Sequence, residues 1–339
     1  MFDVITFGSA AWDVFLKPGD SKIIKDKKFI TGRGVCFNLG SKVDVEDVDF
    51  ASGGGGTNTA VTFQRQGFKT AYCGKVGNDI SGKEILEELQ EEGINTRFSK
   101  TTSLKPTNQS IVVKSLEDER TILVYRGASE LLSKKEIPWG ELKTKWIYLA
   151  PLSGKLSGLF EAIVDFAKKN NIKVAANLGN SQLYLKKDLL KRVLKKLDVL
   201  ILNQEEASIL TNIPYSKEAE IFKKIDEMCD GIAIMTKGET GVSLSDGKFI
   251  YKAKPLKVKV VDKTGAGDAF SSGFISGFIK KNDIEYAIQL GVANATGCIL
   301  KWGAKTGLLK KSDKFKKVKI EKEPCTLNGL CLFKSKVRQ

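Results

Sequence analysis

The chain has 339 residues, 42% hydrophobic and 28% charged, with 55 Lys and Arg against 40 Asp and Glu, a net charge of +15. That composition supplies an ample core and excludes wholesale disorder. No histidine is present, which removes Ser-His-Asp and Cys-His catalysis, His-ligated zinc and any imidazole base, leaving acid–base chemistry to carboxylate, Lys, Tyr or Cys.

The N-terminal segment Met1-Phe2-Asp3-Val4-Ile5-Thr6-Phe7-Gly8 has no basic leader and reads as a first strand. No apolar run approaches the ~18 residues of a membrane span. Six cysteines, at 36, 73, 229, 298, 325 and 331, form no C-x-x-C pair. Reduced, buried thiols in a cytoplasmic protein are expected, not disulfides or zinc. Strands are predicted at Val4–Phe7, Trp146–Ala150, Lys173–Asn177, Val199–Asn203, Ile232–Thr236 and Val242–Leu244. Helical patterns fall at Ser157–Asn170, Lys186–Leu197, Glu205–Leu210 and Lys217–Cys229. This alternation implies an α/β fold with a largely parallel sheet covered on both faces.

Residues 13–50 and about 97–126 break the rhythm. The second stretch holds the alternating runs Ser110–Lys114 and Thr121–Tyr125 about the acidic turn Glu117-Asp118-Glu119, a hairpin signal. Both stretches are read as a small β-sheet lid on one domain of residues 1–309. From Lys310 to Gln339 ten Lys and Arg face three acids. Residues 310–339 are expected as a solvated basic tail, too poor in aromatics to argue for nucleic acid.

Three glycine-rich segments follow different logics. Gly53-Gly54-Gly55-Gly56-Thr57-Asn58-Thr59-Ala60 opens an amphipathic stretch and is either a close approach to a ligand or a flexible turn. It fails the dinucleotide pattern at Asn58. Gly77–Glu84 has Walker A spacing but ends in Glu84 where a hydroxyl is needed; a helix start capped by Ser81 explains it better. Asp262-Lys263-Thr264-Gly265-Ala266-Gly267-Asp268-Ala269-Phe270 is more informative. A strand is expected at Lys257–Val261 before it and an apolar helix at Ala269–Ile279 after it. Amides of Gly265, Ala266 and Gly267 at a helix N-terminus would build an anion hole, with Asp268 placed to accept a proton from a hydroxyl. The competing reading is a plain capping Asp with tightly packed glycines.

With these blocks in order, the chain resembles the ribokinase-like (phosphofructokinase B) family of carbohydrate kinases over roughly residues 3–309. The resemblance implies a three-layer α/β/α fold with a mostly parallel central sheet and a small β-sheet lid. It also implies transfer of the γ-phosphoryl group of ATP to a primary hydroxyl, with Mg²⁺. Carried over by position, Asp268 is similar to the family's catalytic base, and Gly265, Ala266 and Gly267 to its anion hole. Asp13, Gly54 and Asn58 match sugar ligands. Asn203 and Glu206, in Asn203-Gln204-Glu205-Glu206, match the N-x-x-E element that orients phosphate and organises Mg²⁺ through water. Thr236, Gly238 and Asn294 match nucleotide contacts. Asp262 and Thr264 match positions that support K⁺ in some members. Arg126 stands where some members contact an anionic or polyhydroxylated substrate.

Two departures count against D-ribose as the acceptor. Gly55 replaces the Lys of members acting on ribose, and Leu149-Ala150-Pro151-Leu152 occupies the region of a sugar-binding acid. A sugar or sugar-like acceptor is therefore expected, with a nucleoside kinase and a non-catalytic sugar- or nucleotide-sensing homologue as the alternatives. A homodimer formed through the lid's exposed strands is the expected assembly.

Overall fold

A computed structural model describes residues 1–19, 21–26, 33–114 and 120–325. The chain opens with β1 (Phe2–Phe7), then β2 (Ala11–Pro18), β3 (Lys22–Lys25), β4 (Arg33–Cys36) and β5 (Val45–Gly53). α1 (Gly55–Arg65), β6 (Thr70–Cys73), β7 (Lys75–Gly77) and α2 (Ile80–Glu91) follow. Next come β8 (Lys100–Thr102), β9 (Asn108–Lys114), β10 (Arg120–Tyr125) and β11 (Thr144–Leu149). The middle of the chain carries α3 (Gly154–Ser157), α4 (Phe160–Lys169), β12 (Lys173–Asn177), α5 (Asn180–Leu183), α6 (Lys187–Leu194) and β13 (Val199–Asn203). It continues through α7 (Gln204–Thr211), α8 (Glu218–Met228), β14 (Ile232–Thr236), β15 (Val242–Ser245) and β16 (Phe249–Ala253). α9 (Ala266–Lys281), α10 (Ile284–Ile299) and β17 (Ile320–Pro324) complete it.

Among the described residues the main sheet has nine strands in the order β17-β16-β15-β14-β13-β12-β11-β1-β6. From β14 to β6 it is parallel; β15, β16 and β17 are antiparallel. Alternate strand residues sort into two cores, because successive side chains point to opposite faces. Ile5, Ile147, Val174 and Leu200 pack with α4, α6 and α8 through Phe160, Val193 and Phe222. Val4, Trp146, Ala175 and Val199 pack with α1, α9 and α10 through Phe63, Phe274 and Ile288. The three-layer architecture therefore follows from strands apolar on both sides.

A second sheet, β10-β9-β2-β5, forms the lid. The expected hairpin is present as the antiparallel pair β9–β10; its acidic turn lies outside the described residues. Register puts Asp13 and Phe15 of β2 on one face with Ser110 and Val112 of β9. Val14, Leu16, Val48, Phe50, Ile111 and Leu123 share the other face.

Several local expectations are corrected. Residues 257–261 form no strand. They find no neighbouring strand to pair with, and Val261 and Asp262 donate instead to Ile299 O. Asp79, not Ser81, caps α2: its Oδ1 accepts from Gly82 N at 2.8 Å. α9 begins at Ala266, three residues before the expected start, so Asp268 lies inside its first turn. Residues 320–324, expected within a solvated tail, pair as β17 along β16; residues 326–339 lie outside the described residues. Cys36, Cys73, Cys229 and Cys298 are free thiols, while Cys325 is disulfide-bonded, against the expectation of reduced thiols throughout.

Asp79 also accepts from the Thr107 amide at 2.7 Å and the Thr107 hydroxyl at 2.6 Å, tying α2 to the chain entering β9. Burial would raise its carboxyl, but these bonds outweigh it and hold the group below the usual carboxylate range. Asp79→Ala is expected to cost about 1–2 kcal/mol at pH 7. Since the folded carboxyl titrates low, the difference should shrink only as pH falls below the ordinary carboxylate range. Urea melts of the two proteins across that range check it.

Candidate active site

The site is built where α1 and α9 begin, at the carboxyl ends of the parallel strands, the usual ligand crevice of such sheets. The start of α1 is anchored to the end of β1: Gly56 N donates to Ser9 O at 3.0 Å, and the Thr6 hydroxyl donates to Gly56 O at 2.9 Å. Gly265 precedes α9 with φ 76°, a left-handed backbone that favours glycine, and a Cβ there would press on Ala304. The Ala266 amide makes one long bond, 3.3 Å to Lys263 O, and those of Gly267 and Asp268 make none among the described residues. A Cβ on Gly267 would meet nothing within 4 Å. Donors at the positive end of a 16-residue helix thus face open space.

Asp268 is half-buried beside them. Burial raises its carboxyl, opposed by Asn58, whose Nδ2 donates to Oδ2 at 2.9 Å. Asp268 Oδ1 has no partner among the described residues, and a Cβ on Gly55 would come within 3.3 Å of it. Gly55 keeps clear the space that a lysine here would crowd. Asn58 Oδ1 is buried without a hydrogen-bond partner, an acceptor left over for a ligand hydroxyl.

Asp13 is buried on the inner face of the lid. Its carboxyl is raised by burial, against the Ser110 hydroxyl and the Lys305 charge. A Cβ on Gly53 would collide with that carboxylate. Gly53 therefore meets Asp13, Gly55 meets Asp268 and Asn58 binds Asp268, so both acids lie against the first glycine block, with Gly54 between the two contacts.

Asn203 and Thr236 are register neighbours at the ends of β13 and β14. Asn203 caps α7 reciprocally: its Oδ1 accepts from Glu206 N, and Glu206 Oε2 accepts from Asn203 N, each at 2.8 Å. The Glu206 carboxyl is pushed up to about 7, by burial first and then by the Asp268 and Glu205 charges, against its bond from the Asn203 amide. A buried carboxyl raised further by a neighbouring carboxylate charge fits a nearby divalent cation. Among the described residues no cluster of three metal-ligating side chains exists, so phosphate and water would have to complete the shell. Gly238 lies open nearby, with φ 54° and nothing within 4 Å of a Cβ.

Four expected residues have other partners or are exposed. Asn294 is fully buried: Nδ2 donates to Ala269 O at 2.8 Å and to the Thr62 hydroxyl at 3.2 Å, and Oδ1 accepts from Leu309 N at 2.8 Å. It staples three segments and has no free edge for an adenine. Arg126 is exposed just beyond β10. Asp262 and Thr264 do not fit a monovalent cation, because Arg120 Nη1 donates to Asp262 Oδ1 and to the Thr264 hydroxyl, each at 2.6 Å.

The sequence reading missed Arg120 and two more groups. Tyr148 is a buried phenol raised by burial and by the nearby Asp268 and Glu206 charges. Lys305 is a buried ammonium that donates to the Ser52 hydroxyl at 2.6 Å and feels Glu88 and Asp13. Neither lies in a recognisable motif; each reaches the site only by tertiary packing.

The model of the pfkB family of carbohydrate kinases matches residues 31–311. The chain belongs to that family. It is similar to a ribokinase of Haemophilus influenzae, 30% identical over 274 residues, covering 79% of this chain and 88% of that one. It is also similar to a cytidine kinase of Thermococcus kodakarensis, 25% identical over 258 residues, covering 74% and 88%. Among solved structures, an Arabidopsis thaliana ribokinase complexed with ribose and ATP superposes with a TM-score of 0.73 at 20% identity, covering 91% of this chain and 96% of that one. This pfkB-family chain is a phosphotransferase with an alcohol group as acceptor, and no helix among its described residues is long and apolar enough to cross a membrane.

The raised Glu206 gives a sign for the pH profile of this kinase. With its carboxyl pushed up to about 7, Glu206 would be protonated at lower pH in the free protein and unable to serve a cation. The phosphoryl-transfer rate should therefore climb through neutrality, the climb moving to lower pH as Mg²⁺ is raised and disappearing in Glu206→Gln. Rate–pH profiles at two Mg²⁺ concentrations check it.

Proposed function

We propose that the chain is a cytoplasmic ATP-dependent kinase that phosphorylates a primary hydroxyl of a sugar or sugar-like molecule. One observation carries this reading: Asp268 has one oxygen fixed by Asn58 and the other free, beside unpartnered amides of a helix N-terminus. A hydroxyl lodged there gives its proton to Asp268 as its oxygen attacks the γ-phosphorus. The bond from that phosphorus to the bridging oxygen breaks, and ADP leaves with the electron pair. The Gly265–Gly267 amides take up charge on the migrating group. Asp13 and Asn58 orient the acceptor's other hydroxyls. Thr236, Gly238 and Asn203 flank the nucleotide phosphates. Mg²⁺, organised by Glu206, would neutralise phosphate charge. Lid closure excludes water, which otherwise competes as acceptor.

A nucleoside acceptor is the second reading. Val112, Ile122 and Val124 share the inner lid face with Asp13, and Ile122 and Val124 are exposed there, an apolar roof suited to a base. The outer lid face, with Val48, Phe50, Ile111 and Leu123 exposed, suits a second copy of the chain.

Asp268→Asn should lower kcat by at least ~10²-fold, the low end for loss of a general base, with the fold intact by circular dichroism. Detection of ADP over ribose, fructose, 2-keto-3-deoxygluconate, adenosine, inosine and cytidine measures this and names the acceptor. Near-normal turnover of the variant would overturn the role, and binding without turnover at saturating ATP and Mg²⁺ would point to a sensing protein.

A further inference from the structure

Arg120 begins β10, one of the two edge strands of the lid, and its guanidinium crosses to the loop that opens α9. Asp262, the residue it meets, is almost fully buried. Every oxygen of that carboxylate is engaged: Oδ1 by Arg120, the Thr264 amide (2.9 Å) and the Thr264 hydroxyl (2.8 Å), and Oδ2 by the Gly303 amide (3.2 Å). Thr264 directly precedes Gly265, so the lid is coupled to the anion-binding amides through two side chains.

The same end of the lid makes two further contacts. Lys114, the register partner of Arg120, sets its ammonium 3.4 Å from the centre of the Trp302 ring. Phe15 meets that ring edge-on at 6.2 Å. Trp302 adjoins Gly303, which donates to Asp262, and Ala304, which packs on Gly265. The inner lid face therefore converges on one unit, residues 262–265 with 302–304, that carries the start of α9.

We propose that Arg120 is a positioning residue that supplies, from the lid, the fixed positive charge the buried Asp262 requires, so that the anion loop is set without a monovalent cation. A buried carboxylate stripped of its counter-charge is strongly destabilising, and a guanidinium is the side chain least able to lose its charge there. Because the charge rides on the lid, lid seating and loop geometry become one event. This inference rests on the kinase reading for its rate arm only.

The test compares wild type, Arg120→Met and Arg120→Lys in KCl and in tetramethylammonium chloride at equal ionic strength. The wild type should turn over equally in both salts. Arg120→Met should lose ~10-fold or more in kcat, as small misplacements of reacting groups do, with part of the loss recovered by KCl or by added guanidinium. Arg120→Lys should stand close to wild type. Hydrogen exchange provides an arm independent of turnover: Arg120→Met should expose the amides of residues 262–267 and of β10, and leave the β11–β13 core protected. A wild type that collapses without K⁺, or an Arg120→Met protein unchanged in exchange at those amides, overturns the proposal. If no acceptor is turned over by the wild type, the kinase reading fails while the exchange arm still decides this one.

Discussion

The candidate site depends on a half-buried carboxylate beside a helix end that would welcome negative charge. Asp268 lies in the first turn of α9, where the dipole favours an anion, yet burial raises its carboxyl. Asn58 offsets part of that cost and fixes the orientation of the group. Glu206 is raised by its own burial first and then by the Asp268 charge. These acids carry raised carboxyls because the fold buries them with few partners, and under the function proposed above an incoming hydroxyl, phosphate and cation would be the partners that complete them.

The scaffold was legible where periodicity has a single physical reading. β12, β13 and β14 run where the apolar stretches at 173, 199 and 232 place them, since strands buried on both faces need continuous apolar residues. Legibility failed where a β-like run lacked a partner, as at 257–261, and at the start of α2, where Ser81 was expected as the cap and Asp79 takes that place. Asp79 wins because Thr107, remote in sequence, also binds it. It failed as well at β17, whose charged sequence looks solvated until the edge of β16 is there to receive it.

Of the candidate site, the two glycine blocks announced themselves because close backbone approach and a free helix end demand small residues at fixed spacing. The meeting of Asn58 with Asp268 was readable only through resemblance, since 210 residues separate them. Asn294 matched by position, yet its bonds turn inward. Arg120, Tyr148 and Lys305 carry no pattern, and their relevance arises only once the lid and sheet are assembled.

The pairing of β17 with β16 has a consequence beyond the active site. The outer edge of an antiparallel extension is where a sheet recruits foreign chains. Here five residues drawn from beyond the matched family region cover that edge, with Lys322 lying over the Phe249 and Tyr251 rings. Shortening the chain before 320 would leave every proposed site residue in place and still uncover the β16 edge, so the harm would surface as clumping rather than as failed chemistry.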